Sequence, residues 1–131
     1  MAPVASLIVV ETPRPGVRRI TLNRPEKRNA LSNPLRAEIY GALEEADRDP
    51  EISVSIVCGA GKCFSAGYDL SSDTRTDQPW HTAAGDGNWS RHVVEGHFRV
   101  WDLAKPVIAQ VHGACIAAGT LLAGLADIVP S

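Results

Sequence analysis

Cysteine is scarce in this chain of 131 residues: Cys58, Cys63 and Cys115, with no CxxC pair among them. An odd number without that spacing excludes a disulfide framework and a zinc ribbon, and reads as reduced thiols in a cytoplasmic protein. A basic excess is lacking too. Thirteen Lys and Arg stand against fifteen Asp and Glu, a net charge of −2, which argues against a nucleic-acid partner. There is no long apolar run. The least polar stretch, Cys115 to Ala126, falls short of the roughly 18 residues that suggest a membrane span, so no membrane partner is expected. Met1 to Val10 has no basic region ahead of its short valine-rich run, so no signal peptide is expected. Internal repeats and low-complexity tracts are also absent. What remains, 44% hydrophobic and 21% charged residues, is the composition of one ordinary globular domain.

The charge is unevenly spread. Arg14, Arg18, Arg19, Arg24, Lys27 and Arg28 share a short stretch with a single acid, Glu26. Such a run is either a solvated face or a docking place for a small polyanion, since Lys and Arg suit phosphates.

Strands are expected over Ser6–Glu11 and Val17–Leu22, joined by Thr12-Pro13-Arg14-Pro15-Gly16. A helix is expected from Asn33, capped by that Asn, with Pro34 in its first turn and Leu35, Ile39, Ala42, Leu43 and Ala46 on one face. Asp49-Pro50 ends it. A buried strand follows at Ser53–Cys58, then a glycine-bearing loop from Gly59 to Gly67. Leu70 to Asn88 is polar and without period, long enough to read as a functional loop. A second helix near Ser90–Leu103, a strand at Val107–Val111 and a helix at Gly119–Ala126 complete the pattern. Strands alternating with helices predict an α/β fold around a sheet.

Several signatures fail on their residues. Gly59-Ala60-Gly61-Lys62 resembles a phosphate loop, but Ile56 stands where its first glycine belongs and Cys63 replaces Ser or Thr. Phe64 occupies the third glycine of a dinucleotide fingerprint. Cys63-Phe64-Ser65-Ala66-Gly67 approaches a nucleophile elbow but lacks its first glycine, and polar loop follows instead of a helix. A serine hydrolase using Ser65 is the weakest of the readings. His81, His92, His97 and His112 form no metal pair at helical spacing, since His92 and His97 are five apart; no metal is assigned.

Three segments make sense together. They are Leu22-Asn23-Arg24-Pro25-Glu26-Lys27-Arg28-Asn29-Ala30-Leu31, then Gly59 through Cys63-Phe64-Ser65-Ala66-Gly67-Tyr68-Asp69-Leu70, then Lys105-Pro106-Val107-Ile108-Ala109-Gln110-Val111-His112-Gly113 through Ala117-Ala118-Gly119. Their order, spacing and wording resemble the enoyl-CoA hydratase/isomerase (crotonase) family over roughly Leu22 to Ile128.

The resemblance implies an α/β fold, a crotonase-like spiral of ββα units, of which residues 1–131 are expected to form an incomplete domain, about the N-terminal half. It implies an acyl-CoA thioester substrate, with coenzyme A as part of that substrate and no separate cofactor. It also implies a backbone oxyanion hole for an enolate-like thioester oxygen, its donors carried over to the amides of Ala66 and Ala118. Small side chains and a helix N-terminus fit that task, and one such donor is worth about 10²–10³ in rate. The CoA nucleotide is expected near Arg28-Asn29-Ala30, with Lys27 and Arg28 on phosphates and Ala30 contributing backbone. Further contacts come from Ala66, Gly67, Tyr68, Asp69 and Leu70. Asp69 is expected either to touch substrate or to fix its loop through nearby amides, and Arg24 to support the turn. Trp80 and Trp89 are candidates for the acyl-pocket lining. Relatives form trimers or hexamers, so a homo-oligomer is implied.

One departure bears on mechanism. The family's first catalytic glutamate falls on Leu121 here, and the second would lie beyond Ser131. Positioned acid–base groups are worth about 10²–10⁴-fold. The residues therefore favour single-base, isomerase-like chemistry over hydration. The alternative is a non-catalytic or vestigial acyl-CoA-binding protein.

Overall fold

The computed structural model describes residues 6–71 and 88–130. Strand β1 (Ile8–Arg14) pairs antiparallel with β2 (Gly16–Leu22), and β3 (Ile52–Gly59) and β4 (Val107–Ala109) add in parallel, giving the order β1-β2-β3-β4. Helices α1 (Asn33–Arg48), α2 (Asn88–Trp101) and α3 (Ala118–Gly124) follow β2, β3 and β4 in turn. This is the ββα repeat of a partial crotonase-like spiral, built on an open sheet.

Local chemistry explains the elements and where they depart from expectation. The α1 cap is Ser32, not Asn33: its hydroxyl accepts from the Leu35 N–H at 3.2 Å, satisfying a first-turn donor. Leu35, Ile39, Leu43 and Ala46 are fully buried along one stripe of α1, as the spacing predicts. Two residues outside that apolar stripe, Arg36 and Tyr40, are buried with them. At the other end the Lys105 ammonium donates to the carbonyls of Ala46 and Asp49, capping α1 from the start of β4.

Strand β1 runs three residues further than expected, so the turn shrinks to Pro15. β4 stops early instead: Gln110 makes the last ladder bond to β3, to the Val57 carbonyl at 2.8 Å, and beyond it the His112 carbonyl accepts from Phe64. The core lies between the sheet and α1. Ile20, Leu22, Leu35, Ile39, Leu43 and Phe64 are closed to solvent, each contributing about 1.5–3 kcal/mol by burial.

Candidate functional site

The three sequence segments converge beyond the carboxyl ends of β2, β3 and β4, where ligands sit in parallel sheets. The first makes a 3₁₀ turn, Pro25–Lys27, and then two left-handed residues, Arg28 (φ 53°) and Asn29 (φ 54°). Asn29 is fully buried and ties the turn to the loop after β3. Its Nδ2 donates to the carbonyls of Ala60 and Cys63 at 3.0 and 3.1 Å, while its Oδ1 accepts from the Arg24 N–H.

The second segment runs between the first and the third. Leu31 donates to the Gly67 carbonyl at 2.7 Å and accepts from the Asp69 amide at 3.1 Å, a parallel bridge centred on Tyr68. On its other side Phe64 donates to His112, Ser65 to Ala114, and Ile116 to Ser65. The third segment then enters α3 through Ala117, whose φ of 50° and ψ of −116° suit glycine rather than alanine.

These contacts decide the fate of each candidate. The Ala66 N–H donates to the Arg28 carbonyl at 3.0 Å, so the expected donor is already engaged. The Ala118 N–H, at the start of α3, has no protein acceptor among the described residues. Gly67, at φ 101°, breaks the extended alternation. It sends the Ala66 amide to the Arg28 turn, while the bridge to Leu31 directs the Tyr68 amide to the opposite side. On that side a Cβ built on Gly67 would lie 3.5 Å from the Ala118 nitrogen. The Gly67–Tyr68 segment thus lies beside the Ala118 amide. Sequence reasoning placed Tyr68 among the ligand contacts, directly after the glycine that turns the chain here.

Ser65 is fully buried, its hydroxyl donating to the Asn29 carbonyl at 2.9 Å and accepting from the Gly67 N–H. It braces the loop and is closed to an attacking role, which removes the hydrolase reading.

Asp69 takes the bracing alternative. One carboxylate oxygen accepts from the Ser71 N–H and hydroxyl, at 2.9 and 2.6 Å, and the other lies 2.6 Å from Arg24 Nη1. The Ser71 hydroxyl foremost, with the Ser71 N–H and Arg24 adding to it, holds the Asp69 pKa down to about 2 against burial.

The basic run divides. Arg18 pairs with Asp49 and Arg19 with Glu11, and Arg24 with Asp69. Lys27 and Arg28 stay exposed, with no ion pair among the described residues. Ala30 is half-buried with its carbonyl held by Arg24 Nη1, and Leu70 is exposed. The Tyr68 ring lies 5.6 Å from the buried Arg36 guanidinium, and burial pushes its phenol pKa up. Leu121 is half exposed on α3, one turn beyond Ala118. Trp80 and the Trp89 side chain lie outside the described residues.

Comparison with known proteins places this architecture. A family model, enoyl-CoA hydratase/isomerase, matches residues 12–130. Enoyl-CoA hydratase EchA19 of Mycobacterium tuberculosis is 37% identical over 109 residues, 83% of this chain and 40% of that protein. The mitochondrial Delta(3,5)-Delta(2,4)-dienoyl-CoA isomerase of Rattus norvegicus is 32% identical over 128 residues, 92% of this chain and 39% of its own. The crystal structure of an enoyl-CoA hydratase/isomerase from Xanthobacter autotrophicus Py2 superposes with a TM-score of 0.79 at 37% identity, over 96% of this chain and 46% of that one. The chain thus spans about two fifths of the length of the curated relatives it matches. By motif, fold and sequence alike, it belongs to the enoyl-CoA hydratase/isomerase family.

Proposed function

We propose that this chain supplies the oxyanion and CoA-binding half of an acyl-CoA thioester-processing site. The observation that carries this reading is the approach of the Gly67–Tyr68 segment to the Ala118 amide. Two converging N–H groups, one at a helix start, suit an oxygen that gains charge as a thioester enolate forms. This pairing moves the first donor from Ala66 to Tyr68 and keeps Ala118. The exposed Lys27 and Arg28, three and two positions before the half-buried Ala30, suit the CoA phosphates, with Gly67 to Leu70 flanking the pantetheine arm.

Leu121 favours one chemistry over another. One helical turn past the Ala118 donor it presents a methyl-ended side chain that neither holds a water nor moves a proton. Hydration by an acid–base pair is disfavoured, and proton transfer by a single base from outside this stretch of chain is favoured. The same exposed Leu121 supports the second reading, an acyl-CoA-binding protein without turnover.

Calorimetry and thermal shift with CoA and then crotonyl-CoA test the proposal. Binding of both, with the thioester tighter, is expected. Exchange of thioester α-protons with deuterated solvent then separates an enzyme from a binder. Failure of the chain to bind either ligand overturns the reading.

A further inference from the structure

A stripe along α3 leads away from the proposed oxyanion site. Ala118, Leu121 and Leu125 are spaced i, i+3 and i+7, so they share one helical face. Seven residues of helix carry that face about 10 Å from the Ala118 amide. There Leu125 meets the exposed face of α2, closing a groove of about 220 Å³ with Val94, His97, Phe98 and Trp101.

The groove is apolar except for one group. The His97 imidazole is half-buried and takes no hydrogen bond from the described residues. Burial first, and then the Arg36 charge on α1, hold its pKa below the usual histidine value, so the ring is neutral at pH 7. A neutral imidazole offers one donor and one acceptor. In the open, half-exposed groove both face solvent; a chain that covers the ring strips that water, and a ligand hydroxyl takes its place.

Resting on the acyl-CoA reading above, we propose that this groove takes the acyl chain, and that His97 selects chains bearing a hydroxyl about 10 Å from the thioester carbonyl. The continuity of the stripe from Ala118 argues for the acyl chain as occupant. So does the size of the groove, below the roughly 300 Å³ at which pockets for whole small molecules begin.

Titration of the whole chain at pH 8 with octanoyl-CoA and 8-hydroxyoctanoyl-CoA tests this. In His97→Leu the preference for the hydroxylated thioester over octanoyl-CoA, read as a ratio, is expected to fall about threefold to tenfold. His97→Gln, which keeps a donor and an acceptor, restores part of that preference. In the unmodified chain the His97 ring nitrogen resonances should shift with the hydroxylated ligand and not with its parent. An unchanged ratio in both variants overturns the inference alone, as do ring resonances that ignore the hydroxyl when a variant fails to fold. A dimer by light scattering whose His97 signals neither thioester moves also overturns it, and assigns the groove to a second copy. Absence of binding to either thioester overturns the acyl-CoA reading itself.

Discussion

Arg24 Nη1 and Asp69 Oδ2 meet at 2.6 Å between two largely buried side chains, locking the turn after β2 to the loop after β3. The same guanidinium holds the Ala30 carbonyl, so one cation fixes both walls of the proposed CoA path.

Acid should loosen that lock. The Asp69 pKa lies near 2 in the folded chain against an ordinary 3.8. Its stabilisation is therefore complete above about pH 4 and is lost as pH falls through 2, worth on the order of 1–2 kcal/mol. Ser71→Ala removes the largest cause of the shift, and NMR titration should then show the Asp69 carboxyl climbing toward 3.8. A wild-type carboxyl that already titrates near 3.8 contradicts the assignment.

Ala117→Gly should stabilise the fold. A non-glycine residue at φ 50°, ψ −116° stores about 1–3 kcal/mol. The freedom glycine adds to the unfolded chain costs about 0.4–1 kcal/mol. The denaturation midpoint should rise by the difference, with α3 content unchanged by circular dichroism. A lower midpoint would mean that the backbone there carries no strain.

Asn29→Ala should be among the most damaging substitutions outside the apolar core. It strips the Ala60 and Cys63 carbonyls of a buried donor and the Arg24 amide of an acceptor, a loss of about 3 kcal/mol or more. Chemical denaturation measures it directly. A change below 1 kcal/mol would show that the turn does not depend on this amide.

Arg28→Ala should weaken CoA by about threefold to tenfold while affecting dephospho-CoA less, as expected of an exposed charge-assisted contact to the 3′-phosphate. Equal losses for the two ligands would move the contact to the pyrophosphate.

Much of this was legible in the sequence because it rests on local chemistry. The helix over 33–48 showed its proline-bearing start and apolar period, and the motif segments showed their glycines. Which amide of the loop the proposal pairs with Ala118 was not legible. Whether the Ala66 or the Tyr68 amide faces Ala118 depends on the φ of Gly67 and on an Arg28 carbonyl 38 residues away. Nor did the sequence show that Arg36 is buried. Its shelter comes from Asn33 within α1 and from the Tyr68 ring on a distant loop, contacts to which helical periodicity is blind. His97 read as one ordinary histidine among four, since its distinction is a groove shared with Leu125.

The stretches around Arg28, Ser65 and Ile116 are stitched to one another mainly through carbonyls and amides, with the side chains of Asn29 and Ser65 as rivets. Such a seam opens as a unit. The amides of Leu31, Ala66 and Ile116 should therefore trade hydrogen for deuterium on one shared clock. A nucleotide gripping the Arg28 turn would slow that clock at the edge of α3, although it touches nothing there.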